Sequence, residues 1–524
     1  MQNLLTDPLI RVRTVDGSVS TLSLPEVYEA MVSDKVSAFQ ALRPHQRHSW
    51  HAFLAQLGVL ALGTEQRQLP RREGEWRLLL RGLTPDFPDG EPWKLVVNDP
   101  SRPAFMQCPS PDGLGDYKGS RATPDDLDLL VTSKNHDLKA AIAVEGQADD
   151  WIFALVNLQT MGGFLGAGNY GIARMNGGFS SRPCLGLAPA NGGVGAHLVH
   201  DIQQLIDNRQ GLLQQYEQYF SPVGGVGLVW IEPWDGTGSL GLTDLDPYFI
   251  EICRRVRLKR QGAATIALTA TSKKRRIAAA QAKGDLGDHW TPVDVGEGKA
   301  LSISRVGFRY DRLAKLVLDQ RAYRHPNAMT ASGSEGSSWR LVARGVAAGQ
   351  GKTEGYHERA DIIFNPRVSR SLFGGGQGSE VLEDLATAQI EEVGEVARAL
   401  RFGIAVAASG GKDADSLGPP DWEKARPYLR RLDWVADARF FEALQERFGV
   451  SEEERATARR VFSRRLIRHG RSLLLEAIKT VPCPAIQRYR AEARAKSAFW
   501  WRLRRPDSVF SDQPDIFETR KQEH

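Results

Sequence analysis

Apolar positions change their spacing twice along the chain. Near the N-terminus the short runs PLIRVRT (8–14) and SVSTLSL (18–24) read as strands. A helix start is written at Ser23-Leu24-Pro25-Glu26, where Ser23 can accept from the N3 amide, Glu26 can reach back, and proline is tolerated in a first turn. The next helix, HSWHAFLAQLGVLALG (48–63), is apolar enough to be buried. From about residue 64 to 375 the apolar runs become short, as in WKLVV, CLGLAP, GLVWIEPW, WRLVARGV and ADIIF, and Gly, Pro and Asp interrupt them. That texture predicts an irregular α+β domain with long loops, and no repeat is visible. From Glu380 onward the spacing turns helical, with long helices expected near 380–408, 421–448, 451–480 and 484–505. In the first of these, Leu382, Leu385, Val393, Val396, Leu400 and Ile404 share one face, and four such amphipathic helices close as a bundle. The fold class is therefore α+β, with a large irregular mixed domain over 1–375 and a C-terminal four-helix bundle over 380–524. The run Gly374-Gly375-Gly376 marks the boundary.

Composition narrows the picture only a little. A chain of 524 residues is too long for one ordinary core, and 41% hydrophobic with 25% charged residues is the composition of a globular protein. The balance of 68 Lys+Arg against 63 Asp+Glu leaves +5, so any nucleic-acid surface must be local. Cys108, Cys184, Cys253 and Cys483 are far apart and form no Cys-x-x-Cys pair, which argues against a zinc site of that kind and against a disulfide framework. The N-terminus has no signal-peptide pattern and no apolar run is long enough to span a bilayer, so a soluble cytoplasmic protein without membrane contact is expected.

Local basic clusters do exist. In the third bundle helix, Ala458, Phe462, Leu466, His469, Leu473 and Ala477 line one side, while Arg460, Arg464, Arg468 and Arg471 line the other. Such a stripe is either a solvated face or a surface for non-specific contact with a nucleic-acid strand. RRVRLKR (254–260) and SKKRRIAAAQAK (272–283), which contains Lys273, Lys274 and Lys283, add two clusters in the first domain.

The stretch GVAAGQGKTEGYHER (345–359) contains Gly351-Lys352-Thr353 and invites comparison with a phosphate-binding P-loop. That motif requires glycine five residues before Gly351, where this chain has Val346, and a helix afterwards, where it has Gly355. Strand, loop, strand is expected instead. Small residues around Gly349, Gln350, Gly351 and Lys352 leave an amide and an ammonium on backbone that can approach another polymer closely. A second glycine-rich stretch, MGGFLGAGNYGIARMNGG (161–178), presents Asn169, Tyr170 and Arg174 in the same way, which suggests two fingers on one ligand. No catalytic set emerges. His45, His48 and His51 spread around a helix and cannot easily converge on one ion, and the acidic runs read as helix caps and solvated faces. A non-enzyme without cofactor or metal is expected; the alternative is a nucleotide-dependent or metal-dependent nucleic-acid enzyme acting alone.

The order of motifs carries a resemblance. Asn3-Leu4-Leu5 with Ile10, Val12 and Arg13, then RPAFMQ (102–107), the glycine loop (161–178), GLVWIEPW (227–234), GQGKTEGYHERADIIF (349–364) and a C-terminal helical bundle resemble the CasA family, the large subunits of type I-E CRISPR Cascade surveillance complexes. The resemblance covers essentially the whole chain. It implies a subunit that recognises the protospacer-adjacent motif from the minor-groove side of duplex DNA and helps to open the duplex for the guide RNA. It also implies partners: target DNA, the 5′ handle of the guide RNA, the backbone, handle-binding and small subunits, and a helicase-nuclease effector that docks on it. By position, Gly166, Ala167, Gly168 and Asn169 match the family's glycine loop and Gln350 its wedge, flanked by Gly349, Gly351 and Lys352. Lys283 is the first choice for the family's lysine, with Lys273 and Lys274 behind it. The segment TSKNHDLK, with Lys134, Asn135, His136 and Lys139, takes the place of the loop that meets the guide handle and the neighbouring subunit.

Overall fold

Strand β1 (Ile10–Thr14) pairs antiparallel with β2 (Val19–Leu22) on one side and β3 (Val36–Phe39) on the other. Between them, the Ser23 backbone N–H donates to the Glu26 carboxylate at 2.7 Å and opens helix α1 (Leu24–Val32), the local device written in the sequence. The computed structural model describes residues 2–64, 68–128, 146–331, 336–349, 352–374 and 378–517, the side chains of Lys352, Pro514 and Asp515 excepted. Among the described residues no helix is long and apolar enough to cross a membrane.

The chain folds as two compact units. The first comprises residues 1–308 and 320–366, the second residues 309–319 and 367–524. In the first unit, helix α2 (Arg47–Leu62) is buried on nearly every side and packs against α3 (Ala148–Met161) and α4 (Val194–Gln215). Its aromatic side chains set the core: Trp50 meets Phe153 edge-on at 4.9 Å, Phe53 meets Phe105 at 5.7 Å, and Phe105 meets Trp230 at 6.1 Å. The buried Asp149 carboxylate in the first turn of α3 accepts from Arg11 at 2.7 Å, so β1 is fixed to the positive end of that helix.

Two further strand groups carry the segments of interest. Strands β5 (Arg255–Gln261) and β6 (Ala264–Ala270) form an antiparallel hairpin. Strand β7 (Trp339–Gly349) runs between β4 (Cys184–Pro189), paired along 339–344, and β8 (Lys352–Arg359), paired along 343–349. The glycine-lysine stretch is thus the end of an antiparallel hairpin. Gly355 lies inside β8 with φ +137, and Ala347 and Ala348 straddle a register shift, so no helix follows the Gly-Lys-Thr sequence as a P-loop demands.

The second unit is helical: α5 (Tyr310–Leu318), α6 (Ser379–Ala408), α7 (Arg426–Asp437), α8 (Phe440–Arg447), α9 (Glu452–Thr480) and α10 (Arg488–Leu503). Helix α6 packs against all five others. The long helix expected over 421–448 is broken. Pro427 sits in the first turn of α7, where its missing N–H is harmless, whereas an unbroken helix would have lost a hydrogen bond there. The second break, after Asp437, lets the adjacent Phe440 and Phe441 both turn inward, and Gln389 donates to the Phe440 carbonyl at 2.7 Å. Arg367 donates to the carbonyls of Phe448 and Gly449, which joins the segment before the glycine run to this unit.

Charge is buried in both units. In the second, the Glu392 carboxylate, 1% exposed, receives Arg447 at 2.9 Å, Arg459 at 2.8 Å and the Ser463 hydroxyl at 3.1 Å. Removing the anion strands the equally buried Arg447, so Glu392→Ala is expected to lower the stability of this unit by about 3–5 kcal/mol in urea unfolding. In the first unit, His48 is buried and its pKa is pushed down to about 3, first by burial and then by Arg344 and His45. An unfolded histidine titrates near 6.5, so between these values the unfolded chain binds the extra proton and stability falls as the pH drops. Between pH 6.5 and 5 this residue accounts for a loss of about 2 kcal/mol, which urea midpoints should show disappearing in His48→Gln.

Candidate nucleic-acid interface

A segment with few side chains must have its backbone polar groups satisfied by something else. In the glycine loop the tip closes on itself: the Leu165 N–H donates to the Asn169 carbonyl and the Asn169 N–H to the Gly166 carbonyl, both at 3.0 Å. Gly166 and Gly168 have φ +116 and +81, left-handed values that a Cβ makes costly. Lower down, the Phe164 N–H donates to the Gly178 carbonyl at 2.9 Å and closes the neck. The neck is tight, because a Cβ on Gly163 would lie 2.5 Å from the carbonyl oxygens of Phe179 and Ser180.

Two buried charges hold the loop from below. The Glu251 carboxylate accepts the backbone N–H groups of Ala173 at 2.6 Å and Arg174 at 3.2 Å. The Arg254 guanidinium donates to the carbonyls of Gly163, at 2.8 Å, and Tyr170. Arg174 lies 3.7 Å over the Phe249 ring, and its guanidinium lies 3.4 Å from Glu251 and 3.7 Å from Asp288. Arg182 pairs with Asp288 at 2.6 Å. Burial alone would raise the Asp288 carboxyl, but Arg182 and Arg174 outweigh it and hold the group below the usual carboxylate range. Glu251 moves the other way, raised by a burial that Arg174 and the two amides only partly offset.

The loop's return path meets the β7–β8 hairpin. The Ser181 N–H donates to the Val346 carbonyl at 2.9 Å, the Val346 N–H donates to the Ser181 hydroxyl at 2.8 Å, and the Ser180 hydroxyl donates to the Ile303 carbonyl at 2.7 Å while accepting the Ala348 N–H at 3.3 Å. The residues that follow the glycine loop are therefore hydrogen-bonded to the start of the 345–359 stretch. Gly349 pairs with Lys352 across the hairpin; Gln350 and Gly351 lie outside the described residues.

The lysines expected beside the loop are exposed. The Ser272 N–H donates to the Gly168 carbonyl at 3.0 Å, which sets Lys273 and Lys274 directly after the loop's contact point. Lys283 is held near the loop's Arg174 and Met175: its carbonyl accepts from the Ala300 N–H at 3.0 Å, and the following Gly284 abuts the backbone of those two residues. Ala167 and Leu165 are exposed at the tip, the latter at 49%, and Asn169 is half-buried.

Other expectations fall elsewhere. Arg460, Arg464, Arg468 and Arg471 lie on α9 of the second unit; the last three are exposed, and Arg460 is half-buried and donates to Thr457 at 3.1 Å. Lys134, Asn135, His136 and Lys139 lie outside the described residues. Arg174, expected on the loop's surface, is instead buried beneath it. The RRVRLKR cluster is mostly internal as well: Arg254 serves the loop, Arg257 donates to the carbonyls of Val97 and Asp99, and of its basic residues Lys259 and Arg260 face outward. Strand alternation cannot reveal that, because a buried arginine is matched to carbonyls distant in sequence. Ser180, Ser181 and Glu251, which position the loop, carried no motif, and Arg254 stood out only as part of a basic cluster.

No protein-family model matches the sequence, and no curated protein matches it significantly. Solved structures do. CasA of Thermus thermophilus superposes with TM-score 0.60 at 14% identity, over 96% of this chain and 99% of that one. The fold is that of CasA. Cse1 of Acidimicrobium ferrooxidans gives 0.61 at 14% identity over 96% and 97%, and a chain of a CRISPR RNA-guided surveillance complex gives 0.58 at 13% over 95% and 99%. The match extends across nearly the full length of each chain, so the mixed unit and the helical unit both follow the CasA fold.

Arg254→Leu leaves two loop carbonyls without their donor, each worth about 1–3 kcal/mol when buried. The variant should be destabilised by about 2–4 kcal/mol in urea unfolding and be cut faster by protease between residues 164 and 178. Unchanged cleavage there would mean that Arg254 does not hold the loop.

Proposed function

We propose that this chain is the non-catalytic large subunit of a CRISPR RNA-guided surveillance complex, working in antiviral defence in the cytoplasm. It recognises the protospacer-adjacent motif of double-stranded target DNA from the minor-groove side and helps to open the duplex for guide pairing. The reading is supported by the CasA fold over 96% of the chain, and above all by one observation: the segment leaving the glycine loop is hydrogen-bonded through Ser180 and Ser181 to strand β7, which leads into the Gly349–Lys352 hairpin. Side-chain-poor backbone flanked by lysines suits close approach to a groove. Minor-groove edges separate A·T from G·C and little more, so a reader there accepts several related motifs.

In this proposal Gly166, Ala167, Gly168 and Asn169 lie along the groove, with Lys283, Lys273 and Lys274 on phosphates or base edges. Gln350, with Gly349, Gly351 and Lys352 around it, pries at the duplex edge. Unstacking one step costs a few kcal/mol, which the first guide–target pairs and new protein contacts offset. Arg460, Arg464, Arg468 and Arg471 offer a non-specific surface to target or displaced strand. The segment with Lys134, Asn135, His136 and Lys139 meets the 5′ handle of the guide RNA and the subunit that holds it. The backbone, handle-binding and small subunits complete the complex, and a helicase-nuclease effector docks on this chain.

The test is binding by the assembled complex to a duplex target and to the same target already opened. Gln350→Ala and Gly168→Asp should each weaken duplex binding by roughly tenfold or more, about 1.4 kcal/mol, and leave the opened target unaffected. Equal losses on both would remove the duplex-opening role. Nucleotide or nucleic-acid hydrolysis by the purified chain above background would overturn the non-catalytic reading.

A further inference from the structure

Away from the glycine loop, helices α2 and α4 carry a cluster that the proposed function does not use. His197 and Asp201 are one turn apart on α4, so their side chains share a face, and His51 faces them from α2. The His51 Nε2 lies 2.8 Å from the Asp201 Oδ2 and the His197 Nε2 lies 3.7 Å from it. The two imidazoles are stacked, with centroids 4.0 Å apart and planes 26° apart. All three candidate donor atoms fall within 4.8 Å of one another, the one group of three such residues found among the described residues.

We propose that His51, His197 and Asp201 bind one divalent transition-metal ion of the zinc class, which bridges α2 to α4. Four observations carry this. Nitrogen and oxygen donors about 2.0–2.1 Å from a tetrahedral ion lie about 3.3 Å apart, and the two measured separations bracket that value. Among the described residues the His197 Nε2 and the Asp201 Oδ1 have no hydrogen-bond partner, although His197 is 8% and Asp201 0% exposed. Buried polar atoms of this kind are rare unless something satisfies them. The Trp290 indole N–H donates to the Asp201 Oδ2 at 2.7 Å, an outer contact that orients the carboxylate. Finally, a cavity of about 320 Å³ reaches both imidazoles, so an ion and a water as fourth ligand have a route in. Its wall also carries Arg47 and Arg344, each paired with Glu358, at 3.0 and 2.8 Å.

The experiment uses the purified full chain, stripped with chelator, dialysed to remove it, and titrated with Zn(II) or Co(II) in the absence of nucleic acid. One equivalent per chain is expected, with a Co(II) spectrum of four-coordinate nitrogen and oxygen ligation and no thiolate charge-transfer band. His197→Gln and Asp201→Asn should each weaken binding by at least about tenfold. No saturable binding to the wild-type chain, a thiolate band assigning the ion to cysteine, or equal affinity in the variants would overturn the proposal. The Co(II) spectrum of the wild-type chain decides between these outcomes even where a variant fails to fold. The measurement involves no DNA, so its outcome is independent of the proposed target recognition.

Discussion

The glycine loop persists because its backbone is satisfied by groups that come from elsewhere in the chain. Glu251 accepts from two of its amides, Arg254 donates to two of its carbonyls, and Ser180 and Ser181 tie its exit to β7. Around these anchors the loop has a small apolar floor of Ile172, Met175 and Cys253. Without them the segment would be a run of glycines with little to bury and a large conformational entropy to lose. A pinned neck and a bare tip are the combination that lets main chain approach a partner while keeping its position.

The same arrangement explains what could be read from the amino-acid order. Devices acting within a few residues were legible: the reach of Glu26 back to Ser23, the apolar helix from residue 47 to 62, the missing glycine that rules out a P-loop, and the amphipathic face of α6. The α+β class with a helical C-terminal part followed from them. The break of the expected 421–448 helix was half legible, since Pro427 was visible, but the inward turn of Phe440 and Phe441 depends on packing.

What stayed hidden spans long sequence separations. Arg254 meets a carbonyl 91 residues away and Glu251 meets an amide 78 residues away, so both looked like ordinary charged residues. Arg174 looked like a surface contact for the same reason, because its counter-charges lie 77 and more residues downstream. The histidines illustrate the converse. His45, His48 and His51 invited attention as a helical series, yet His45 pairs with Asp128 at 2.6 Å while His51 turns to Asp201. Spacing within one helix cannot name a partner supplied by a neighbouring one.

Helix α5 lies between two stretches of the first unit in sequence but belongs to the second. Its packing partner α6 begins only at Ser379, so α5 leaves the ribosome well before the surface that will bury Leu313, Leu316 and Val317 exists. During synthesis this nine-residue segment has no packing partner to hold it as a helix while the rest of the first unit is still being completed. Neither unit is a contiguous stretch of chain, and a C-terminal fragment beginning at residue 367 would lack one of its own helices.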